Sequence, residues 1–141
     1  MTQTSAKQLP FVSLVMSLRN EERFLPRSLA AIEEQDYLKD RYELIAVDGG
    51  STDHSVEILK AFPLSVSHTT LATGRNLTIP AAMNSGIRIA RGDIVIKLDA
   101  HGYPSSNFVR GIAERLWKQP DLGAVGGIVQ LGETRAAQAN G

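Results

Sequence analysis

Asp99 and His101 are the residues whose types and spacing point most directly to chemistry. A carboxylate and an imidazole two positions apart can both reach one cation where the backbone turns, and together they suit Mn²⁺ better than Ca²⁺. Two protein ligands leave coordination positions open, which a diphosphate could fill. In the alternative interpretation Asp99 only ends a strand and His101 is an exposed loop residue, and the spacing alone does not decide. His54 and His68 lack metal-ligand spacing and are expected at the surface.

A second polar group, Asp48-Gly49-Gly50-Ser51-Thr52-Asp53, also has two interpretations. It is good turn chemistry, in which Asp53 caps a helix. Alternatively, Asp48 contacts a ligand hydroxyl or a base, and the glycines let backbone approach that ligand. The glycine pair is not a G-x-G-x-x-G fingerprint, so a dinucleotide site is not expected. A third polar group, residues 17–21, follows the first apolar run.

Short apolar runs alternate with helical periodicity along the chain. Strands are predicted over residues 11–18, 42–47, 64–67, 93–98 and 123–129, and helices from Pro26 to about Gln35, from residue 52 or 53 to 59, over 79–90, and over 107–118. Residues 69–77 are predicted to be loop, Gly92 the residue that follows the third helix, and Ser105 or Ser106 the cap of the fourth.

This alternation predicts an α/β fold, a three-layer α/β/α arrangement around a Rossmann-like, mostly parallel sheet. Ligands of such sheets bind outside the carboxyl ends of the strands, near the point where strand order reverses. Because the three polar groups each follow a predicted strand, we expect them to converge at that edge of the sheet.

Composition excludes several function classes. The 141 residues form one domain or part of one, and 15 Lys and Arg balance 15 Asp and Glu, which argues against nucleic-acid binding. The absence of cysteine excludes disulfides, a thiol nucleophile and thiolate metal sites. With no signal peptide and no apolar span, the chain is expected in the cytoplasm or at the inner face of the membrane. Residues 1–10 are expected to be a flexible tail and 134–141 a frayed end.

Five stretches in this order resemble glycosyltransferase family 2 with the GT-A fold, over about residues 11–130. They are Val12–Glu22, Ile45–Asp53, Ala82–Ile87, Ala90–Asp93 and Lys97–His101. The Asp-Ala-His sequence, with Tyr103-Pro104 behind it, is similar to the succinoglycan-type branch of exopolysaccharide glycosyltransferases.

The resemblance implies a nucleotide-diphosphate-sugar donor, UDP-linked, and a divalent metal, Mn²⁺ or Mg²⁺. It places Leu18 and Asp48 at the base, Asp99 at the ribose and metal, and His101 where the common D-x-D pattern has its second acid. Arg75 is a candidate for the phosphate. The full donor-binding set is Leu18, Arg19, Glu21, Asp48, Gly49, Ser51, Arg75, Asn84 and Asp99, and the metal ligands are Asp99 and His101.

The resemblance also implies an inverting transfer to a saccharide or lipid-linked acceptor in polysaccharide synthesis. Residues 11–133 would then be the donor-binding portion of a partial GT-A domain. An inverting transfer needs a carboxylate base, which in this family follows the fifth strand. Glu133 is the only acid after Val129 and lacks the family context, so we assign no general base.

Two alternatives stay open at this stage. The chain is a catalytically inactive nucleotide-sugar-binding module, or, less favoured, a methyltransferase or nucleotidyltransferase, which the lack of a glycine-rich loop after the first strand argues against. A partial sheet would expose an edge and apolar surface, which favours self-association. Membrane association would require segments outside this chain.

Overall fold

The computed structural model describes residues 9–127, within which strands and helices alternate along the chain. The elements are β1 (Val12–Leu18), α1 (Leu25–Glu33), β2 (Tyr42–Asp48), α2 (Ser55–Ala61), β3 (Ser67–Ala72), α3 (Ile79–Ile89), β4 (Ile94–Asp99) and α4 (Phe108–Lys118). Pro26 lies in the first turn of α1, where its missing N–H leaves no helical hydrogen bond unmade. The predicted α/β alternation is confirmed.

The four strands form one parallel sheet in the order β3-β2-β1-β4. The chain moves outward from β1 through β2 to β3 and then returns to the other side of β1, so the strand order reverses between β1 and β4. In this register Leu18 is level with Asp48, and Ser17 with Asp99. The carboxyl ends of the strands therefore meet at one edge, as the fold class predicted.

Helices cover both faces of the sheet. Leu14, Met16 and their neighbours on alternate positions pack in one core cluster with residues of α1, α2 and α4. The intervening positions, including Val15 and Val47, pack against α3 on the opposite face. Because β1 and β2 are buried on both faces, their sequences are continuous apolar runs rather than alternating ones. The three-layer arrangement is confirmed.

Gly86 allows α3 to lie close to this sheet. A Cβ atom at this position would come within 2.5 Å of Val15 Cγ1 and 3.1 Å of Val47 Cγ2. Both contacts are with β-branched side chains in a packed core, which have little freedom to move aside. The residue is therefore glycine because of its packing, despite the cost of glycine in a helix.

The prediction for the third strand is wrong in position. Residues 64–67 were expected to form it and 69–77 to be loop, whereas β3 spans Ser67–Ala72. This strand lies at the sheet's edge and is mostly exposed, so it carries His68, Thr69 and Thr70 instead of an apolar run. An apolar-run criterion finds strands that are buried on both faces and misses an exposed edge strand.

The fifth strand, expected at 123–129, is absent from its described part, residues 123–127. Gly123, Gly126 and Gly127 supply most of that part, and glycine disfavours strands. Residues 128 and 129 lie outside the described range. Within that range β4 is an edge strand, and its Val95 is 43% exposed. The expected self-association stays a prediction.

Three helix boundaries also differ from expectation. The second helix, α2, spans Ser55–Ala61 instead of starting at residue 52 or 53 and ending at 59. Gly92 does not follow α3 in a left-handed conformation, since the helix ends through Ala90 in extended backbone. A Cβ at Gly92 would instead lie 2.6 Å from the Ser13 nitrogen, so close strand packing requires the glycine. The N-cap of α4 is Asn107, without a side-chain cap bond, instead of Ser105 or Ser106.

Of the two terminal segments, only the inner end of the expected N-terminal tail lies within the described residues. Pro10, at the end of the expected tail, is buried and its carbonyl accepts a hydrogen bond from the Tyr37 hydroxyl at 2.6 Å. Residues 1–8 and the expected frayed end, 134–141, lie outside the described residues.

A buried carboxylate joins three elements at the amino ends of the strands. Glu43 is 4% exposed, and its carboxylate accepts hydrogen bonds from the Ser13 hydroxyl at 2.7 Å and from the Arg91 guanidinium at 2.8 Å. The Arg91 backbone N–H donates to it as well, and the Gly92 N–H donates to the Ser13 hydroxyl. Burial opposes ionisation, but these donors together hold the pKa of Glu43 below its ordinary value.

Replacing the two helical glycines by alanine should have opposite effects. Gly86→Ala is expected to lower the free energy of unfolding by about 1–3 kcal/mol, because its Cβ overlaps Val15. Gly111→Ala, in α4, meets no atom within 4 Å and should raise it by about 0.5–1 kcal/mol. Urea unfolding measures both, and a neutral or stabilising Gly86→Ala would contradict the packing described for α3.

The Glu43 network should make the fold sensitive to acid. Since the pKa of Glu43 is lower in the folded chain than in the unfolded one, its stabilisation is present above the unfolded pKa and is lost as the pH falls through the folded pKa. Arg91→Met should lower the free energy of unfolding by about 2 kcal/mol at neutral pH, and by less at an acidic pH below the folded pKa of Glu43, where the carboxyl has lost its charge.

The matched control for this prediction is Arg88→Met. Arg88 is an exposed arginine in the last turn of α3, and its replacement should change stability by no more than about 0.5 kcal/mol. Urea unfolding of both variants at the two pH values gives the comparison. If Arg91→Met destabilised the chain equally at both pH values, the ionised Glu43 carboxylate would not be the group through which Arg91 stabilises the fold.

Candidate functional site

The loops that follow β1 and β2 are joined by hydrogen bonds at the carboxyl edge of the sheet. Asn20 has a left-handed backbone conformation, φ 54°, which asparagine tolerates better than most residues. Its side-chain oxygen accepts hydrogen bonds from the Thr52 N–H at 2.7 Å and the Asp53 N–H at 3.3 Å, and its own N–H donates to the Ser51 hydroxyl at 2.9 Å. Asn20 therefore fixes the two loops against each other.

Two further residues of the first loop extend this connection. The Glu21 N–H donates to the hydroxyl of buried Ser55, and the Glu22 N–H donates to the Asp53 carboxylate. The Glu22 carboxylate accepts from the His54 N–H at 2.9 Å. Burial opposes ionisation of Asp53, but hydrogen bonds from Ser55 and Glu22 lower its pKa. Asn20 was not among the predicted site residues; its signal in the sequence is an asparagine two residues after a strand, since asparagine is a common left-handed turn residue.

Asp48 closes the turn that follows β2. It is 3% exposed, and its carboxylate accepts hydrogen bonds from the N–H groups of Gly50 and Ser51 at 3.1–3.2 Å. The turn interpretation is therefore confirmed for Asp48, whereas Asp53 is not the cap of α2, whose N-cap is His54. A carboxylate has further acceptor sites, so these bonds are compatible with a ligand contact as well. That contact stays a prediction.

The loop after β3 packs against this turn. Gly50 has φ 101°, and a Cβ there would lie 2.8 Å from the carbonyl oxygen of Arg75. The Leu77 N–H donates to the Gly49 carbonyl at 3.1 Å, and the Thr73 hydroxyl to the Asp48 carbonyl at 3.2 Å. Gly50 is thus required by the chain's own packing. The same packing brings the backbone of Arg75 beside the turn, with its side chain exposed.

His101 contacts Glu21 across the point where the strand order reverses. The distance between His101 Nδ1 and Glu21 Oε1 is 3.1 Å, and the ring of Phe24 lies edge-on to the imidazole with the ring centres 6.4 Å apart. Asp99 is paired instead with Lys97, whose ammonium lies 2.6 Å from its Oδ1 atom. Both side chains of this second pair are about half exposed.

These residues fit a cation held by two protein ligands and a diphosphate. Within residues 9–127 no three His, Asp or Glu side chains are grouped as a complete metal site. His101 Nε2 has no hydrogen bond to a described residue, and Asp99 keeps its second oxygen free of Lys97. Carboxylate oxygen and imidazole nitrogen are donors that Mn²⁺ accepts. The donor atoms of Asp99 and His101 therefore suit the divalent cation that the family resemblance implies.

The remaining predicted residues differ in their exposure. Leu18 is 5% exposed in the core, and its carbonyl accepts from the Gly49 N–H at 2.8 Å. Arg19 is exposed beside it, whereas Asn84 is exposed on α3, without a hydrogen bond to the other predicted residues in the described part of the chain. The structure thus connects Leu18, Glu21, Asp48, Gly49, Ser51, Arg75 and His101 through the contacts above. His54 and His68 are at the surface, as expected.

Two arginines that were not predicted as site residues lie over aromatic rings, one over Phe24, which contacts His101, and one over Tyr103. The Arg27 guanidinium lies 4.1 Å from the ring centre of Tyr103, and that of Arg23 lies 5.5 Å from the ring centre of Phe24.

None of the helices in the described range is both long and apolar enough to cross a bilayer.

Comparison with known proteins identifies relatives of this chain. The family model of glycosyl transferase family 2 matches residues 13–137. A dolichyl N-acetyl-alpha-D-glucosaminyl phosphate 3-beta-D-2,3-diacetamido-2,3-dideoxy-beta-D-glucuronosyltransferase of Methanococcus voltae is 32% identical over 91% of this chain and 42% of its own length. An undecaprenyl-phosphate 4-deoxy-4-formamido-L-arabinose transferase of Pseudomonas fluorescens is 39% identical over 65% of this chain and 28% of its own length. The chain thus spans less than half of these relatives.

Solved structures share the fold. TarS of S. aureus has a TM-score of 0.69 at 21% identity, over 78% of this chain and 33% of its own. The mannosyltransferase PcManGT of Pyrobaculum calidifontis, solved with GDP-Man and Mn²⁺, has a TM-score of 0.69 at 27% identity, over 79% of this chain and 33% of its own. With its sheet order, the polar loops at its carboxyl edge and a family match over most of its length, the chain belongs to glycosyl transferase family 2.

Proposed function

We propose that this chain is the donor-binding portion of a glycosyltransferase that uses a nucleotide-diphosphate sugar. The observation that carries the proposal is the convergence of Glu21, the Asp48 turn and His101 at the carboxyl edge, beside the reversal of strand order. Family membership supports the reaction class. Residues 11–133 are the proposed donor-binding portion, with residues 1–10 and 134–141 as flanking segments.

The proposed roles follow the positions of the residues. Leu18 and Asp48 lie level at the ends of adjacent strands, where they would bound the nucleotide base. Arg75, whose backbone lies beside the Asp48 turn, would supply positive charge for the phosphates. Arg19, Glu21, Gly49, Ser51 and Asn84 complete the proposed donor-binding set, and Asp99 would contact the ribose.

Asp99 and His101 are the proposed ligands of a divalent cation, Mn²⁺ or Mg²⁺. The mannosyltransferase described above binds Mn²⁺ together with GDP-Man, which supports a cation at the same step here. When bound, such a cation neutralises the charge that develops on the departing nucleoside diphosphate. Asp99 would bind the cation through its second oxygen, which is not paired with Lys97.

The finer features of the reaction are proposals of the same kind. The names of two relatives contain a dolichyl-linked or undecaprenyl-linked phosphate, which supports a lipid-linked acceptor over a free saccharide. The inverting outcome, the UDP-linked donor and a place in polysaccharide synthesis follow from the family resemblance. The succinoglycan-type assignment rests on the resemblance of residues 99–104 alone, since these relatives carry other names. The general base stays unassigned, and an inactive nucleotide-sugar-binding module is the alternative.

Calorimetry of the chain with UDP and GDP, with and without Mn²⁺, tests donor binding. UDP is expected to bind more tightly with Mn²⁺ than without it. His101→Ala should weaken binding at least about tenfold with Mn²⁺, and less without it, because the ring acts on the nucleotide through the cation. Asp99→Ala should also abolish the advantage that Mn²⁺ gives.

The control is Asp121→Ala, which removes an exposed carboxylate next to Leu122, a residue that lies near the amino end of β4. It should leave UDP binding unchanged. Equal losses for His101→Ala with and without Mn²⁺ would contradict its role as a ligand. Tighter binding of GDP would change the nucleotide but keep the class of donor, whereas binding of S-adenosylmethionine in place of either nucleotide would refute the proposal.

A further inference from the structure

Glu21 and His101 are 80 residues apart in the sequence and meet through one short contact, 3.1 Å between Oε1 and Nδ1. We propose that Glu21 is a positioning residue that keeps the proton of the neutral His101 ring on Nδ1, so that Nε2 is the nitrogen available to a cation. This inference rests on the proposed function, because it gives His101 a ligand to bind. In this role Glu21 acts on the donor site through His101.

The chemistry of the two groups fixes the direction of this hydrogen bond. An ionised carboxylate has acceptor oxygens and no donor. The contact with Glu21 is therefore a hydrogen bond only when His101 Nδ1 carries a proton. In a neutral imidazole the second nitrogen then holds a free lone pair, and a carboxylate partner of this kind sets the ring orientation of metal-binding histidines.

The Glu21 backbone is held in place independently of its side chain. Its N–H donates to the hydroxyl of Ser55, which is fully buried, at 2.9 Å. Its carbonyl accepts from the N–H groups of Phe24 and Leu25, at 3.0 and 2.9 Å, where α1 begins. The carboxylate therefore extends from a rigid support, and its replacement leaves the backbone bonds intact.

Two further features limit the freedom of the imidazole. The Glu21 side chain is 20% exposed, so water competes with its bond to His101 less than at an open surface. The Phe24 ring stands edge-on to the imidazole, at 68° between the ring planes. The His101 side chain is nevertheless 60% exposed, and within residues 9–127 its Nε2 atom has no hydrogen-bond partner. One nitrogen is thus engaged and the other is accessible.

Nitrogen NMR of the chain labelled in its three histidines tests the tautomer directly, without a ligand. At about pH 8, where imidazole is ordinarily neutral, His101 should show a protonated Nδ1 and an unprotonated Nε2. His101→Gln identifies its signals. Glu21→Ala should convert this pattern to a mixture of tautomers, and Glu21→Gln should have a smaller effect because its amide oxygen still accepts.

The matched control is Glu22→Ala. Glu22 is the adjacent carboxylate and has the same charge, but it accepts from the His54 backbone N–H and lies 3.6 Å from that ring. It should leave the tautomer of His101 unchanged. In calorimetry, Glu21→Ala should weaken UDP binding with Mn²⁺ about tenfold, with a smaller loss when Mn²⁺ is omitted.

The two measurements separate the inference from the proposed function. A protonated Nε2 in the unaltered chain, or a tautomer that is the same in Glu21→Ala, would overturn the inference even if UDP and Mn²⁺ bind as proposed. A chain that binds neither UDP nor GDP, with or without Mn²⁺, would overturn the proposed function, and with it the ligand role of Nε2. The expected tautomer together with its loss and the weaker Mn²⁺-dependent binding in Glu21→Ala would support both.

Discussion

The pairing of β1 with both of its neighbours is the constraint on which the rest of this structure depends. β1 is hydrogen-bonded to β2 on one side and β4 on the other, so its register sets which residues stand together at each end of the sheet. At the amino ends, the Ser13 hydroxyl joins Glu43 to Gly92. At the carboxyl ends, the same register brings Asp48 level with Leu18. A one-residue shift in the register of β1 would turn its side chains to the opposite face of the sheet, and the contacts at both ends of the sheet would be lost together.

The polar residues at the amino ends of the strands maintain the fold, whereas those at the carboxyl ends are the ones proposed to bind the donor. The Arg91-Gly92 pair belongs to a stretch that resembles the family motifs, yet it lies at the amino ends, where it satisfies a buried carboxylate and allows close strand packing. Apart from Asn84 on α3, the residues proposed to bind the donor lie at the opposite end, and about half of them are exposed. A motif shared with an enzyme family therefore includes positions that maintain the fold as well as positions for chemistry, and only their location separates the two.

The loops at the carboxyl edge show why part of the candidate site was predictable and part was not. Asp48, Asp99 and His101 could be chosen because each ends or follows a short apolar run, which local sequence identifies. The pairing of His101 with Glu21 could not, since the two loops are adjacent only after β4 returns beside β1. Asn20 was missed for a similar reason, because the bonds that reveal its role end on a loop more than 30 residues away.

The sequence by itself determined the order of helices and strands, the parallel sheet and the edge at which the polar groups collect, because these depend on apolar periodicity and on the topology that short crossovers impose. The tertiary structure decided the rest. It placed an exposed third strand in a polar segment, paired Asp99 with Lys97 and assigned Glu21 to His101. Each of these depends on neighbours brought together from distant parts of the chain, which local periodicity does not record.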